Sequence, residues 1–194
     1  MKELTYPFSE NAIRGLRAGD AVRISGRVCT GRDRFHKFLA DGGSCPVDLR
    51  DGALFHCGPV AVPAEDGAGW RIMAAGPTTS IREEPYEAGV IARLGLRVII
   101  GKGGMGAATV AACREHGCVY LQAVGGAAAL IARRVRRVAG VHFLEEFGMT
   151  EACWELDLDG LEAVVGIDTH GRDLFAGVRD ESYGRLAALT GTEK

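Results

Sequence analysis

Residues 76–106, GPTTSIREEPYEAGVIARLGLRVIIGKGGMG, contain a turn, a helix, a strand and a glycine-rich loop in direct succession. Gly76-Pro77 predicts the turn, and the residue pattern of 85–94 predicts the helix. The short apolar run at 98–100 predicts a strand that ends in a loop beginning at Gly101. Because a helix and a strand follow each other here, the stretch indicates an α/β domain.

Polar groups follow both the turn and the strand of this stretch. Thr78 and Thr79 offer two hydroxyls and Arg82 offers a guanidinium, whereas Lys102 stands among glycines just past the strand. Open α/β sheets place ligands at the carboxyl ends of their strands, which is the position predicted for Lys102. Hydroxyl, guanidinium and ammonium groups offered from two loops predict a site for a small anion.

The sequence on either side adds mainly strands. We predict strands at 3–6, 21–28, 53–57, 70–75 and 118–124, helices at 105–116 and 180–189, a short alanine-rich helix after Gly125-Gly126, and a two-stranded hairpin within 156–167 around Asp159-Gly160. Strands and helices alternate only in the middle third. The pattern therefore favours an α/β domain with a mixed sheet or two sheet layers over a regular doubly wound fold.

Residues 29–39 are predicted to contain a helix, because apolar residues recur there at helical spacing. Thr30 and Asp33 are the candidate N-cap residues. Arg32 would then lie at or near the helix N-terminus, where the helix dipole favours anions. From these residues alone, a solvated position on the helix face is favoured for Arg32. His36 is expected to be a capping or surface histidine rather than a catalyst.

Length and composition are those of an ordinary globular protein. The 194 residues are 47% apolar and 25% charged, which fits a single domain over 1–194. A formal net charge of −2 argues against a nucleic-acid partner bound through general positive charge, so a cationic site must be local. The arginines at 133, 134, 136 and 137 have no interleaved aromatic residues for base stacking, and we expect a solvated or partner-facing surface there.

Targeting and cysteine patterns exclude several further classes. The longest apolar stretch, near 123–132, is too short and too rich in glycine to cross a bilayer, and the opening MKELTYPFSE lacks the apolar core of a secretory signal. We therefore expect a cytoplasmic protein without a membrane partner. The six cysteines are scattered without local zinc or iron–sulfur spacing, so free thiols are expected, although ligands distant in sequence could still converge.

Residues 101–106, GKGGMG, satisfy the G-x-G-x-x-G fingerprint of dinucleotide-binding proteins. That function needs an acidic residue roughly 20 positions later to hold a ribose hydroxyl. Residues 120–125, YLQAVG, contain no carboxylate, and Lys102 is not followed by the Ser or Thr of a phosphate loop. The dinucleotide interpretation is therefore rejected, although NAD binding by the chain would revive a nucleotide-binding oxidoreductase.

Several motifs with specific spacing run through the chain. They are Gly31-Arg32-Asp33 with His36, Gly58-Pro59, Gly76-Pro77-Thr78-Thr79-Ser80 with Arg82, Gly101-Lys102-Gly103, and Gly148-Met149-Thr150-Glu151-Ala152 with Trp154. From about residue 4 to residue 175 the chain resembles the class I fumarase β subunit. The β subunits of tartrate dehydratases and the C-terminal domain of single-chain class I fumarases look similar too. Two departures are mild: Arg34-Phe35 stands where small residues are common, and Thr150 interrupts the usual Gly-Met-Glu-Ala.

The resemblance implies a swivelling β/β/α domain, with mixed sheet layers and helices, and a hydro-lyase that interconverts fumarate and malate. In this family a [4Fe-4S] cluster lies in the α subunit or N-terminal domain, so this chain is expected to ligate no metal. Arg32, Arg82 and Lys102 would bind the substrate carboxylates. Thr78 would lie beside the carbon that exchanges a proton, whereas the residues alone favour a turn hydroxyl bonded to backbone.

The resulting hypothesis is the β subunit of a two-subunit [4Fe-4S] hydro-lyase, part of a hetero-oligomer with a fumarase α subunit and inactive without it. The start at Met1 without a preceding cluster domain favours a separate subunit. Catalytic roles are predicted for Thr78, Arg82 and Lys102, with Arg32 as a further substrate-binding residue. An L-tartrate dehydratase β subunit is the alternative enzyme, and a non-catalytic assembly subunit is the alternative from another class.

Overall fold

The computed structural model describes residues 1–65, 67 and 69–191. Its strands are β1 (Lys2–Thr5), β2 (Ala21–Thr30), β3 (Ala53–Phe55), β4 (Val60–Pro63), β5 (Trp70–Ala74), β6 (Val98–Gly101), β7 (Val119–Gln122), β8 (Val135–His142) and β9 (Cys153–Ile167). Its α-helices are α1 (Glu10–Arg14), α2 (Asp33–Ala40), α3 (Glu84–Leu94), α4 (Ala107–His116), α5 (Ala128–Ala132), α6 (Leu144–Phe147) and α7 (Leu174–Thr190). A 3-10 helix over Ser80–Glu83 leads directly into α3.

The main sheet has the strand order β1-β2-β3-β6-β7-β9-β8. Strands β1, β2, β3, β6 and β7 run parallel to their neighbours, whereas β9 runs antiparallel to β2, β7 and β8. Because β9 pairs with both β2 and β7, the sheet closes on itself. Strands β4 and β5 form a separate antiparallel pair. The mixed sheet predicted from the sequence is confirmed.

Apolar side chains fill both faces of the central parallel strands. In β6, Val98 and Ile100 belong to one buried cluster and Ile99 to another. The second cluster includes Phe35 of α2 and Ile91 of α3, so the helices cover that face of the sheet. A strand buried on both faces reads as a continuous apolar run, which is why β6 was recognisable in the sequence.

The parallel strands β2, β3, β6 and β7 all end at one edge of the sheet, since their carboxyl ends point the same way. The segment that precedes α3 crosses this edge. Bridge pairings join Cys57 with Pro77 and Thr79 with Lys102. The turn at Gly76-Pro77 and the glycine-rich loop after β6 are therefore neighbours in space.

Three predictions about elements are wrong. The hairpin around Asp159-Gly160 is one continuous strand, β9, in which Gly160 has φ +70° and donates its N–H to the Ser25 hydroxyl. At Gly160 the positive φ produces a shift in the strand pairing opposite Ser25, and the chain does not turn there. The second error is an omission: strands β4 and β8 and the short helices α1 and α6 were not predicted.

The third error concerns the start of α2. Its N-cap is Arg32, not Thr30 or Asp33. Thr30 ends β2, and its hydroxyl donates to Ala152 O and accepts the Trp154 N–H instead of capping the helix. The predicted helix at 180–189 forms part of the longer α7.

Candidate functional site

The four sequence-predicted site residues lie at the edge where the parallel strands end, and we call Arg32, Thr78, Arg82 and Lys102 the strand-end face. Arg32 follows β2, and Lys102 follows β6. Thr78 and Arg82 belong to the segment that crosses the edge between β3 and β6. The structure thus brings together groups that are up to 70 positions apart in sequence (from 32 to 102).

Arg32 is held in place by its backbone and by two acids. Its carbonyl oxygen accepts the His36 N–H at 2.9 Å, and its guanidinium lies 3.4 Å from Glu151 and 3.8 Å from Asp33. The side chain is 23% exposed, which differs from the solvated helix-face position that the local residues favoured. A Cβ on Gly58 would approach Arg32 Cδ to 2.9 Å, so glycine leaves room for the guanidinium.

Thr78 and Arg82 contact each other. The Thr78 N–H donates to His56 O at 2.7 Å, and the Thr78 hydroxyl accepts from Arg82 Nη2 at 3.0 Å. Arg82 also lies 3.0 Å from the Asp33 carboxylate. Because the Thr78 oxygen is an acceptor in this contact, its own O–H proton stays available to another acceptor.

Lys102 is fixed through its main chain. Its N–H donates to the Ser80 hydroxyl at 3.1 Å, and its carbonyl oxygen accepts the Ser80 N–H at 3.0 Å. Within the described part of the chain, the Lys102 ammonium forms no ion pair. A Cβ on the preceding Gly101 would collide with Ser80 Oγ, so glycine is required for this close approach.

Behind the strand-end face lies a fully buried cluster of His36, His56, Glu83 and Glu87. Glu87 Oε2 lies 2.9 Å from His56 Nε2 and 3.0 Å from His36 Nε2. Glu83 Oε2 lies 3.7 Å from His36 Nδ1. We call these four residues the histidine–glutamate cluster.

The sequence interpretation missed this cluster, and its prediction that His36 is a capping or surface histidine is wrong. One signal was present. Glu83, Glu87, Val90 and Ile91 follow the i, i+4, i+7, i+8 spacing of the buried stripe of a helix. A carboxylate on such a stripe needs a buried partner, since an unpaired buried charge is costly.

Burial and neighbouring charge set the protonation of the histidine–glutamate cluster. Burial alone would lower the pKa of His36, but the nearby Glu87 and Glu83 carboxylates outweigh it and raise that pKa to about 9. Burial would raise the pKa of Glu87, yet the two histidines lower it to about 2. Burial raises the pKa of Glu83 to about 7 and lowers the pKa of His56. The cluster therefore contains a charged His36–Glu87 pair and a neutral His56 at neutral pH.

The dinucleotide fingerprint is explained by a different contact. The N-terminus of α4, which would have to bind the pyrophosphate, already binds the Glu84 carboxylate. Glu84 accepts the N–H groups of Gly106, Ala108 and Thr109 at 2.7, 3.0 and 3.2 Å. The partial positive charge at the N-terminus of α4 is thus already neutralised by the Glu84 carboxylate, which argues against nucleotide binding at this loop.

The strand-end face carries three cations against the carboxylates of Asp33 and Glu151. Guanidinium groups bind a carboxylate through paired hydrogen bonds, and an ammonium adds a point charge. A small dicarboxylate matches this arrangement, because each of its ends needs a cationic partner. Fold and site together define an α/β protein whose sheet edge carries a local group of cationic side chains.

Comparison with known proteins gives the family. A sequence model described as Fumarase C-terminus matches residues 3–178, and the chain belongs to this family. A Geobacillus stearothermophilus protein with the provisional name fumarate hydratase class I is 47% identical over 184 residues, which cover 95% of this chain and 35% of that protein. The chain thus spans about a third of that relative.

Two further relatives are of similar length to this chain. A Methanocaldococcus jannaschii protein, provisionally named L(+)-tartrate dehydratase subunit beta, is 36% identical over 196 residues, covering 97% of this chain and all of that protein. The L(+)-tartrate dehydratase subunit beta of Escherichia coli strain K12 is 34% identical over 177 residues, with 90% and 87% covered. The resemblance found in the sequence is confirmed.

Of the helices in the described ranges, none is long and apolar enough to cross a membrane. All six cysteines are free thiols, and five of them are buried.

Proposed function

We propose that this chain is the β subunit of a hydro-lyase that adds water to fumarate reversibly, giving malate. The observation that carries the proposal is the convergence of Arg32, Thr78, Arg82 and Lys102 at one edge of the sheet. The names of its relatives support the reaction class, since they are a hydratase and dehydratases. A swivelling β/β/α domain, an α-subunit partner in a hetero-oligomer and a cytoplasmic location belong to the same proposal.

The proposed roles follow from charge and geometry. Arg32, Arg82 and Lys102 bind the two carboxylates of the substrate and hold it in one orientation. The proton lost from malate is adjacent to a carboxylate, so negative charge flows into that group as the C–H bond breaks. Cations already fixed beside the carboxylate stabilise this charge without reorganising, and each charge-assisted hydrogen bond contributes about 1.5–3 kcal/mol.

Thr78 is proposed to stand at the carbon that exchanges a proton. A threonine hydroxyl is a weak base unless a neighbour takes its proton, and the Arg82 contact supplies a donor rather than an acceptor. We therefore assign the accepting group to the partner α subunit. The Arg82 guanidinium would stabilise the Thr78 oxygen while its proton is shared with that group.

A [4Fe-4S] cluster is proposed in the partner subunit, where it would supply a Lewis acid for the departing hydroxyl group. The proposal leaves the six cysteines of this chain, five of them buried, without a role as cluster ligands.

The second candidate is the β subunit of an L-tartrate dehydratase. It is favoured by the M. jannaschii and E. coli relatives, which match nearly the whole chain. Malate and tartrate differ by one hydroxyl group, and cations that bind C4 dicarboxylates would serve either substrate. The names alone do not separate the two enzymes.

The test is co-expression with an α chain that is encoded next to this chain or purifies with it. Anaerobic cluster reconstitution and assays with malate, fumarate and L-tartrate follow. We expect turnover of malate and fumarate by the complex and none by either chain alone. Dehydration of tartrate but not malate would support the second candidate. A complex that converts none of the three substrates would contradict both.

A further inference from the structure

The histidine–glutamate cluster contacts the backbone of Arg32 and Thr78 directly and that of Lys102 through Ser80. His36 Nδ1 lies 2.9 Å from Arg32 O, and His56 O accepts the Thr78 N–H. His56 Nδ1 lies 2.9 Å from Ser80 Oγ, which accepts the Lys102 N–H at 3.1 Å. One buried network thus links the loops that follow β2, β3 and β6.

The partners of each polar atom fix where the protons lie. Ser80 Oγ accepts from Lys102 N–H and from Tyr120 O–H, so its two lone pairs are used and its own proton goes to His56 Nδ1. The proton of neutral His56 is therefore on Nε2, which donates to Glu87. The tautomer of His56 is thus assigned from its hydrogen-bond partners, Ser80 and Glu87.

His36 differs from His56, because both of its ring nitrogens face acceptors. Nδ1 forms a hydrogen bond with the Arg32 carbonyl oxygen at 2.9 Å, whereas Nε2 contacts the Glu87 carboxylate at 3.0 Å as an ion pair outside hydrogen-bond geometry. A ring with acceptors on both sides carries two protons and a positive charge. The pair of His36 and Glu87 is then charge-neutral, which makes its complete burial tolerable.

We propose that the His36 imidazolium and the Glu87 carboxylate are positioning residues, which hold the Arg32 and Lys102 loops in the geometry that binds a dicarboxylate. This inference rests on the proposed function. Loss of the second His36 proton would remove a donor either from the Arg32 carbonyl or from Glu87. In the first case the Arg32 carbonyl keeps only the His36 backbone N–H, and in the second α2 loses its charged tie to Glu87.

The titratable groups that face His36 are Glu83, Glu87 and His56, with Tyr120 reached through Ser80. The pKa of Glu83 is about 7 and that of Tyr120 about 12. Among the groups of this network, His36, whose pKa is about 9, is the one that titrates between pH 8 and 10. Dicarboxylate binding should weaken across that range.

A metal ion is the competing interpretation, since the ligand atoms of His36, His56 and Glu87 lie within 4.8 Å of one another. Tetrahedral ligands about 2.0–2.1 Å from zinc lie about 3.3–3.4 Å apart. The observed separations from Glu87 to His56 and His36, 2.9 and 3.0 Å, are shorter; the first is a hydrogen bond and the second is an ion-pair contact between buried groups. The protonated arrangement is therefore favoured, and metal content becomes one outcome of the test.

The experiment uses the full chain and the variant Glu87→Gln. The matched control is His142→Gln, because His142 also pairs with a glutamate, Glu155, at 2.7 Å, but belongs to β8. Imidazole and backbone amide resonances are followed by ¹⁵N NMR from pH 6 to 10, and malate is titrated at each pH. Metal content is measured on the purified protein.

We expect His36 and the Lys102 amide to titrate together near pH 9 in the wild-type chain, with malate affinity falling across the same range. Glu87→Gln should weaken malate binding about tenfold at pH 7.5 and bring the His36 transition towards its ordinary value near 6.5. His142→Gln should change neither. If Glu87→Gln does not fold, the wild-type titration still decides the question.

The proposal would be overturned if the Lys102 amide resonance did not shift while His36 titrates. Unchanged malate affinity in a folded Glu87→Gln variant, or a stoichiometric metal ion that His36→Gln releases, would overturn it too. A chain that binds no malate at any pH, although His36 and Lys102 titrate together, would contradict the proposed function while supporting the positioning of the loop.

Discussion

Two basic regions of this protein differ in what their charges do. On β8, Arg136 and Arg137 are exposed, and each lies 2.6 Å from an aspartate of the neighbouring strand, Asp159 and Asp157. At the strand-end face the Lys102 ammonium forms no ion pair with any described residue. A search for dense clusters of arginine would select β8 first, yet the charges of Arg136 and Arg137 are neutralised by aspartates of the same sheet.

The strand-end face retains an excess of positive charge because its three cations face only two acids, Asp33 and Glu151. Asp33 lies 3.8 Å from Arg32 and 3.0 Å from Arg82, so one carboxylate serves two guanidinium groups. Glu151 is a second acid beside Arg32. The comparison directs the search for a binding site to unbalanced and positioned charge, whereas a paired surface such as β8 adds at most about 1 kcal/mol per ion pair.

The largest effect is expected on stability at Gly101, where the loop that carries Lys102 packs against Ser80. Gly101→Ala places a methyl group against Ser80 Oγ, which three hydrogen bonds hold in place, and should destabilise the fold by about 3 kcal/mol. Gly177→Ala in α7 meets open space and should stabilise by about 0.5–1 kcal/mol. Urea unfolding of both variants measures the difference, and equal effects would show that Ser80 is not fixed.

Removal of the unpaired cation should cost activity rather than stability. Lys102→Ala in the assembled enzyme is expected to lower kcat/KM by about 10- to 100-fold, because a substrate carboxylate loses its counter-charge. Arg137→Ala is the matched control on β8 and should stay within about twofold of the wild type. Steady-state assays with malate test both variants. Unchanged turnover for Lys102→Ala would favour a non-catalytic assembly subunit.

Alkaline pH should destabilise the fold through His36. Its folded pKa, about 9, lies above its ordinary value of 6.5, so its stabilising contribution is complete below pH 6.5 and is lost as the pH rises through 9. Between pH 7 and 9 the free energy of unfolding should fall by about 2 kcal/mol. Glu83, with a pKa of about 7, acts mainly below this window. Urea titrations across the range provide the measurement, and a flat profile would contradict a charged His36.

The smallest effect is expected at Asp33. Asp33→Asn removes a carboxylate that competes with the substrate for Arg82, and it should lower KM by about two- to threefold with stability changed by less than about 0.5 kcal/mol. Asp157→Asn, which frees Arg137 on β8, should leave KM unchanged. Initial-rate kinetics distinguish the two. A KM that rises in Asp33→Asn would mean that Asp33 mainly positions Arg82.

Much of the fold, and the neighbourhood of the turn at Gly76-Pro77 and the loop after β6, could be predicted from the sequence, because local signals were strong there. The parallel strands are apolar runs bounded by glycines, and Gly117 ends α4 in the left-handed conformation expected of a C-cap. Arg82 and Lys102 were proposed from their loops, whereas the role of Thr78 came from the family resemblance. The site assignment of Arg32 depended on the family resemblance.

The remaining features depend on long-range pairing. The Asp159-Gly160 signal predicts a turn locally, but pairing with β2 and β8 keeps β9 continuous. The histidine–glutamate cluster joins side chains from α2, from α3 and its preceding turn, and from the loop after β3; the helical spacing marks the two glutamates as buried, but no local pattern identifies their partners. Tertiary context overrides local preference at these positions.

A crystal structure of the assembled enzyme with bound malate tests the central claim most directly. The account predicts that the Arg82 guanidinium and the Lys102 ammonium each lie within about 3 Å of a malate carboxylate, with Thr78 beside the carbon that exchanges a proton. Malate bound elsewhere, or held without Arg82 and Lys102, would contradict it.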